Sequence, residues 1–198
     1  MNQMTKSDLI GLTDVAAKIP QFMTKMPHLI TGLKQAYLRT PNTPAGLGLA
    51  FEKAVHRNPH GCALMFEDQQ YSYLQLNAWA NQIAHYYLSI GARKGDVIAV
   101  MLENRPELIA SVIGLAKIGV IAALVNTAQV AKVLAHSINL VKPIAVIVGE
   151  ECRQAVADIR QELELAENRL YWFADQNTRT DTGTAPEGFQ NLAQCIAS

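Results

Sequence analysis

The strongest constraint on this chain is an alternation. From residue 97 to residue 173, short apolar runs take turns with amphipathic stretches. Val97-Ile98-Ala99-Val100-Met101-Leu102 follows the turn signal Lys94-Gly95-Asp96 and suits a strand buried on both faces. Pro106 opens a helix through Lys117, with proline in its first turn and Gly119 just past its end. Val120 to Val125 is a second buried-type strand. Asn126 or Thr127 can cap a helix reaching about Val141, which Pro143 stops. Ile144 to Val148 is a third strand, closed by Gly149. A more polar helix over Glu151 to about Glu167 carries Val156, Ile159, Leu163 and Leu165 on one side. Leu170-Tyr171-Trp172-Phe173 is the fourth strand. Strands and helices joined by short links in this order predict an α/β fold, a parallel sheet with helices on both faces and right-handed crossovers.

Upstream, Gly46 to His56 reads as a helix, Ala63 to Phe66 as a strand and Glu67-Asp68 as its turn. Tyr71-Ser72-Tyr73 leads into a long helix from about Leu74 to Ser89, apolar at Leu76, Ala80, Ile83, Ala84 and Tyr87. Residues 176–188 form a polar loop without periodicity. The expected division is a basic helical arm over residues 1–45 and an α/β portion over residues 46–198.

Charge supports that division. The 198 residues carry 17 Lys/Arg and 17 Asp/Glu, so no basic stripe points to nucleic acid. Residues 1–45 nevertheless hold five Lys/Arg against two Asp. A hydrophobic fraction of 49% excludes a disordered chain. Leu108 to Val125 could pass for a membrane span. Its apolar residues would gain about 3–6 kcal/mol on insertion, but Lys117 near the centre would cost about 2.5–3.5 kcal/mol, and the strand–helix alternation explains the segment better. Cys62, Cys152 and Cys195 lie far apart with no Cys-x-x-Cys pair, which reads as reduced, buried thiols in a cytoplasmic protein.

The search for chemistry finds no catalytic constellation. Gly46-Leu47-Gly48 lacks a third glycine and follows no strand. Gly114-x4-Gly119 has the spacing of a phosphate loop but ends in Val120-Ile121 rather than Lys-Ser/Thr, so its glycines suit close packing of helix on sheet. The loop from Thr182 to Gly188 offers hydroxyls and glycine but an acid, Glu187, where a phosphate wants a base. His28, His56, His60, His85 and His136 form no ligand set, because Pro59 breaks the helix that would align His56 with His60. His136-Ser137 has no acid partner in sequence. Asp96, Glu103 and Glu107 sit at strand ends and helix starts, where a helix dipole favours acids.

Several of these residues form an ordered set. Tyr71-x-Tyr73-x-x-Leu76-Asn77-x-x-Ala80-Asn81 comes first, then Gly91-x-x-Lys94-Gly95-Asp96-Val97 and Met101-Leu102-Glu103-Asn104-Arg105-Pro106-Glu107. Gly114-Leu115-x-Lys117-x-Gly119, Leu124-Val125-Asn126-Thr127 and Leu134-x-His136-Ser137-Ile138 complete it. Over residues 46–173 the set resembles the opening third of adenylate-forming acyl-CoA synthetases, nearest the long- and very-long-chain, fatty-acid-transport-protein branch. The resemblance implies part of that family's large N-terminal domain and a two-step reaction. A fatty acid attacks ATP to give an acyl-adenylate and pyrophosphate, and coenzyme A then takes the acyl group as a thioester, with Mg assisting. It also implies that the phosphate-cradling loop ending in Pro-Lys, the adenine and ribose contacts and the C-terminal lysine follow the matched region. No catalytic, cofactor-binding or metal-binding residue is therefore assigned, and the chain by itself is expected to be inactive. The chain departs from the family at one turn: after Asn126-Thr127, an Asn-x-Arg-Gly-like segment is replaced by Ala128-Gln129-Val130-Ala131-Lys132.

Two further expectations follow. Met23, Met26, Leu29, Ile30, Leu33 and Tyr37 can share the apolar side of a helical hairpin broken at Pro20 and Pro27. Lys18, Lys25, Lys34 and Arg39 would supply a basic face, so residues 1–40 either meet a membrane surface or pack on the chain's own body. Buried-type strands without full cover would leave an open edge, and self-association is expected. The alternative to a ligase portion is a stand-alone, non-catalytic α/β module for membrane or protein interaction.

Overall fold

The computed structural model describes residues 12–37, 45–174 and 185–197. The chain divides into two units, Met1–Pro44 and Ala45–Ser198. In the first, α1 (Leu12–Tyr37) passes through Pro20 and Pro27 as one helix, not the hairpin that the prolines suggested. Each proline deletes one rung of the hydrogen-bond ladder, and the Leu, Met, Lys and Gln around them are good helix formers. The Thr31 hydroxyl, one turn on, donates to the carbonyl of Pro27 at 2.8 Å.

The second unit opens with α2 (Leu47–Arg57) and an antiparallel hairpin of β1 (Cys62–Phe66) and β2 (Gln69–Ser72). Glu67, at φ 50°, makes the tight turn between them. The polar β2 lacks the apolar run that marks a strand in sequence. Helix α3 (Tyr73–Ser89) starts at a capping box: Ser72 Oγ accepts from the Gln75 amide at 3.2 Å, and Gln75 Oε1 accepts from the Ser72 amide at 2.9 Å.

The alternation follows. It comprises β3 (Val97–Met101), α4 (Pro106–Lys117), β4 (Ile121–Leu124), α5 (Ala131–Leu140), β5 (Ala145–Gly149), α6 (Arg153–Asp158) and β6 (Leu170–Phe173). A two-residue β7 (Gln190–Asn191) and a short α7 (Leu192–Ala197), unforeseen from sequence, close the unit. The strands lie in the order β4-β3-β5-β6-β7, every pair parallel, with Val100 opposite both Leu124 and Ile147. The period of two sends Ile98, Val100, Ile147 and Tyr171 into one core with Ile83 and Tyr87 of α3 and Leu115 of α4. Ala99, Met101, Val146 and Trp172 enter the other core, with Leu134 and Ile138 of α5 and Val156 of α6. Helices therefore cover both faces, as the alternation requires.

Three expectations are corrected. Among the described residues β4 is an edge strand rather than a strand buried on both faces, and Ile121 and Leu124 are 54% and 64% exposed. Neither Asn126 nor Thr127 caps α5. Asn126 Oδ1 instead accepts from the Ala128 amide at 2.9 Å, which forms a turn and delays the helix to Ala131. The long helix expected to Glu167 stops at Asp158 and gives way to a single 3-10 turn, Arg160–Glu162. Asn139 of α5 draws the backbone away there, donating to the Glu162 carbonyl at 2.8 Å and accepting from the Glu164 amide at 3.0 Å.

Candidate functional site

From β3 the chain crosses to β4 on one side and returns to β5 on the other. The direction of winding reverses between β3 and β5. Loops leaving the carboxyl ends of two such strands diverge, and the crevice between them is where open α/β sheets bind ligands. A cavity of about 210 Å³ lies there. Glu103, Asn104 and Arg105 after β3, Glu151 after β5, and Phe66 and Tyr71 of the hairpin line it. A wider opening of about 490 Å³ lies at the ends of β3 and β4, lined by Leu102, Asn104, Leu124, Asn126 and Thr127 among others.

Arg105 organises the first cavity. Its Nη1 and Nη2 donate to the carbonyls of Ala174 and Phe173 at 3.3 and 3.2 Å, which fastens the loop after β3 to the end of β6. Its Nε lies 3.6 Å from Glu107 Oε2, and its Nη1 lies 3.8 Å from Glu151 Oε2. The other Glu151 oxygen accepts from the Glu103 amide at 2.7 Å, tying the end of β5 to that of β3. That carboxylate fills the space beside Gly149, where a Cβ would lie 2.2 Å from Glu151 Oε1. Burial, and then the charge of Glu107, raises the pKa of the Tyr71 hydroxyl, which donates to Gln69 Oε1 at 2.5 Å.

The result is an acid-rich crevice with one committed cation. It repels polyphosphate rather than cradling it, so a nucleotide's phosphates do not fit these residues. Among the described residues no group of three or more His, Cys, Asp or Glu side chains is placed to hold a metal ion. Cys152 is buried nearby. Burial chiefly, then Glu151 and Glu103, pushes its thiol up to about 11 despite the opposing Arg105. All three cysteines are free, but Cys62 is exposed, against the expectation of buried thiols.

The other sequence candidates take structural places. Gly46 caps α2. Gly48 packs on α4, where a Cβ would come within 2.8 Å of Lys117 Cα. Gly114 lets α4 approach α3, its would-be Cβ lying 2.6 Å from the Ala80 carbonyl, so the close packing is helix on helix rather than helix on sheet. His56, His60, His85 and His136 are exposed, with no metal cluster among the described residues. The side chain of His28 and residues Thr182 to Thr184 lie outside the described residues. Gly188 accepts from Arg160 Nη1 through its carbonyl at 2.5 Å. Asp96 accepts from the Arg93 amide at 2.7 Å, closing the turn before β3. Glu151 was missed in the sequence. Its only local signal was an acid just past an apolar run ending in glycine.

Residues 51–192 match the family described as AMP-binding enzyme. The chain belongs to that family. It is 32% identical over 149 residues to the medium/long-chain-fatty-acid–CoA ligase FadD6 of Mycobacterium tuberculosis, covering 75% of this chain and 25% of that protein. It is 36% identical over 115 residues to long-chain fatty acid transport protein 1 of Rattus norvegicus, covering 57% of this chain and 18% of the relative. The fold of anthranilate CoA ligase AuaEII superposes with a TM-score of 0.69 at 20% identity, over 77% of this chain and 28% of that one. The chain thus spans about a quarter of the length of the fatty-acid–CoA ligase that it matches. The family that matches is the one that the sequence resembled, and the expected parallel α/β sheet is present.

Proposed function

We propose that this chain forms the opening α/β portion of a long-chain fatty acyl-CoA ligase, the parent activity being ATP-dependent formation of an acyl-adenylate and then a thioester with coenzyme A. The similarity over three quarters of the chain to a ligase of medium- and long-chain fatty acids carries the reading. On this reading the portion builds one side of the large domain and performs no step alone. Nothing in the acid-rich crevice can align the α-phosphate of ATP with an attacking carboxylate or stabilise the charge that develops. ATP, Mg, coenzyme A and fatty acid would be handled by sequence beyond this portion. We place the protein in the cytoplasm, from its free thiols, and peripherally at a membrane. Among the described residues no helix is long and apolar enough to cross one.

Fatty-acid-dependent ATP–pyrophosphate exchange tests the reading in two arms. The chain alone should show none. Joined to the downstream portion of the Mycobacterium tuberculosis relative, it should gain exchange that depends on long-chain fatty acid. Exchange by the chain alone, or a folded but inert chimera, overturns the proposal.

A further inference from the structure

We propose that α1 is an interfacial helix that lies in the plane of a bilayer carrying anionic headgroups. Ile19, Phe22, Met23, Leu29, Ile30 and Leu33 are exposed, each 47–59% accessible. At 3.6 residues per turn they fall within an arc of about 120°, and half-buried Met26 lies in its centre. From Ile19 to Leu33 this is a continuous apolar stripe about 21 Å long at 1.5 Å per residue. Lys18 and Lys25 border one margin and Lys34 the other, all exposed, so their ammonium groups can reach upward to headgroups while the stems lie along the apolar surface. Asp14 is the helix's one acid. An apolar arc flanked by cations is complementary in both shape and charge to an anionic lipid surface.

Two other occupants fit less well. A second copy could zip along Ile19, Phe22, Met26, Leu29 and Leu33, which keep heptad spacing. The stripe, however, widens beyond that seam through Met23 and Ile30, so Lys18 and Lys25 would face apolar residues rather than partner acids. Pro20 and Pro27 would also interrupt a close helix pair. On a bilayer they lie to the polar side, where water can satisfy the carbonyls that they orphan. A transmembrane path is closed, because α1 is not apolar enough to cross.

This surface deepens the peripheral placement proposed above and is independent of ligase chemistry. Vesicle binding measures no catalysis, so the two readings can fail separately. The intact chain is sedimented with vesicles of phosphatidylcholine alone and of phosphatidylcholine mixed with phosphatidylglycerol. Binding is expected to the mixed vesicles and to weaken as salt is raised. Phe22→Glu with Leu29→Glu should weaken it at least roughly tenfold. Replacing Lys18, Lys25 and Lys34 by Gln should weaken it roughly fivefold per lysine. An unchanged cooperative melt of the second unit verifies that each variant is folded. No binding by the wild-type chain, or equal binding by all variants, overturns the proposal. So does a lipid-free dimer abolished by Phe22→Glu in a chain that ignores vesicles, which would give the stripe to a second copy.

Discussion

The ammonium of Lys117, at the end of α4, donates to Asn77 Oδ1 on α3 at 2.5 Å. It also donates to Asn81 Oδ1, one turn along α3, at 2.6 Å, and meets the carboxylate of Glu52 on α2. Lys117 is 9% exposed in its side chain. Three helices thus converge on one charge whose three N–H bonds each find an oxygen, and burial of the ammonium is fully compensated. Gly48 and Gly114 permit the close approach that makes this possible. Residues that marked the family resemblance are here a structural clasp rather than a binding site.

Lys117→Met is therefore expected to destabilise the second unit by about 2–4 kcal/mol, since it leaves Asn77, Asn81 and Glu52 without their donor. Lys117→Arg should recover little, because a planar fork cannot place three donors around a point. Urea denaturation of the three proteins, read at an unchanged slope, measures both losses.

The parts of this architecture that could be read in the sequence were those with local signals. β3, β5 and β6 are apolar runs between turn residues, and Pro106 announces α4. β2 and β7 are short and polar, so pairing makes them strands and no local pattern could reveal them. The stop after α6 depends on Asn139 of another helix, a contact that periodicity cannot see. The crevice shows the same limit. Tyr71, Arg105 and Glu151 come from three separate segments: the reversal of winding between β3 and β5 brings Arg105 and Glu151 together, and Tyr71 reaches the crevice from the hairpin.

Ala131 opens α5 at φ 50°. This is the left-handed region, where a Cβ costs roughly 1–2 kcal/mol. It stands at the turn where the family resemblance expects glycine, a residue to which this φ costs nothing. Ala131→Gly should stabilise the protein by about 1 kcal/mol after glycine's added unfolded-state entropy is counted. Thermal denaturation should show Tm raised by roughly 2–4 °C. An unchanged or lower Tm would show that the turn relaxes around alanine.

The thiols should separate by reactivity. Exposed Cys62 is expected to react with an aromatic disulfide reagent within the mixing phase at mildly alkaline pH. Cys152 should react only as the protein unfolds, because its thiolate is disfavoured by burial and by Glu151 and Glu103. The stability linkage runs the same way. The native pKa is raised, so Cys152's contribution is complete below the ordinary thiol value and is lost as pH rises from about 9 towards about 11. Cys152→Ala should flatten the fall in stability over that window, measured by denaturation at each pH.

The edge of the sheet makes the last prediction. β4 pairs with β3 alone among the described residues, so its other side presents backbone donors and acceptors. Ile121 and Leu124 on that strand, with Val130 and Val133 beyond it, are all more than half exposed. An open strand beside an apolar patch is a template for another chain. The protein should therefore self-associate as concentration rises, in a form that binds a dye for apolar surface less than the monomer does. Leu124→Lys with Val133→Lys puts charge on the edge without touching either core, and should shift the sedimentation profile toward monomer while leaving the melt cooperative. If that variant associates as strongly as the parent, the contact lies elsewhere and β4 is not the edge through which copies meet.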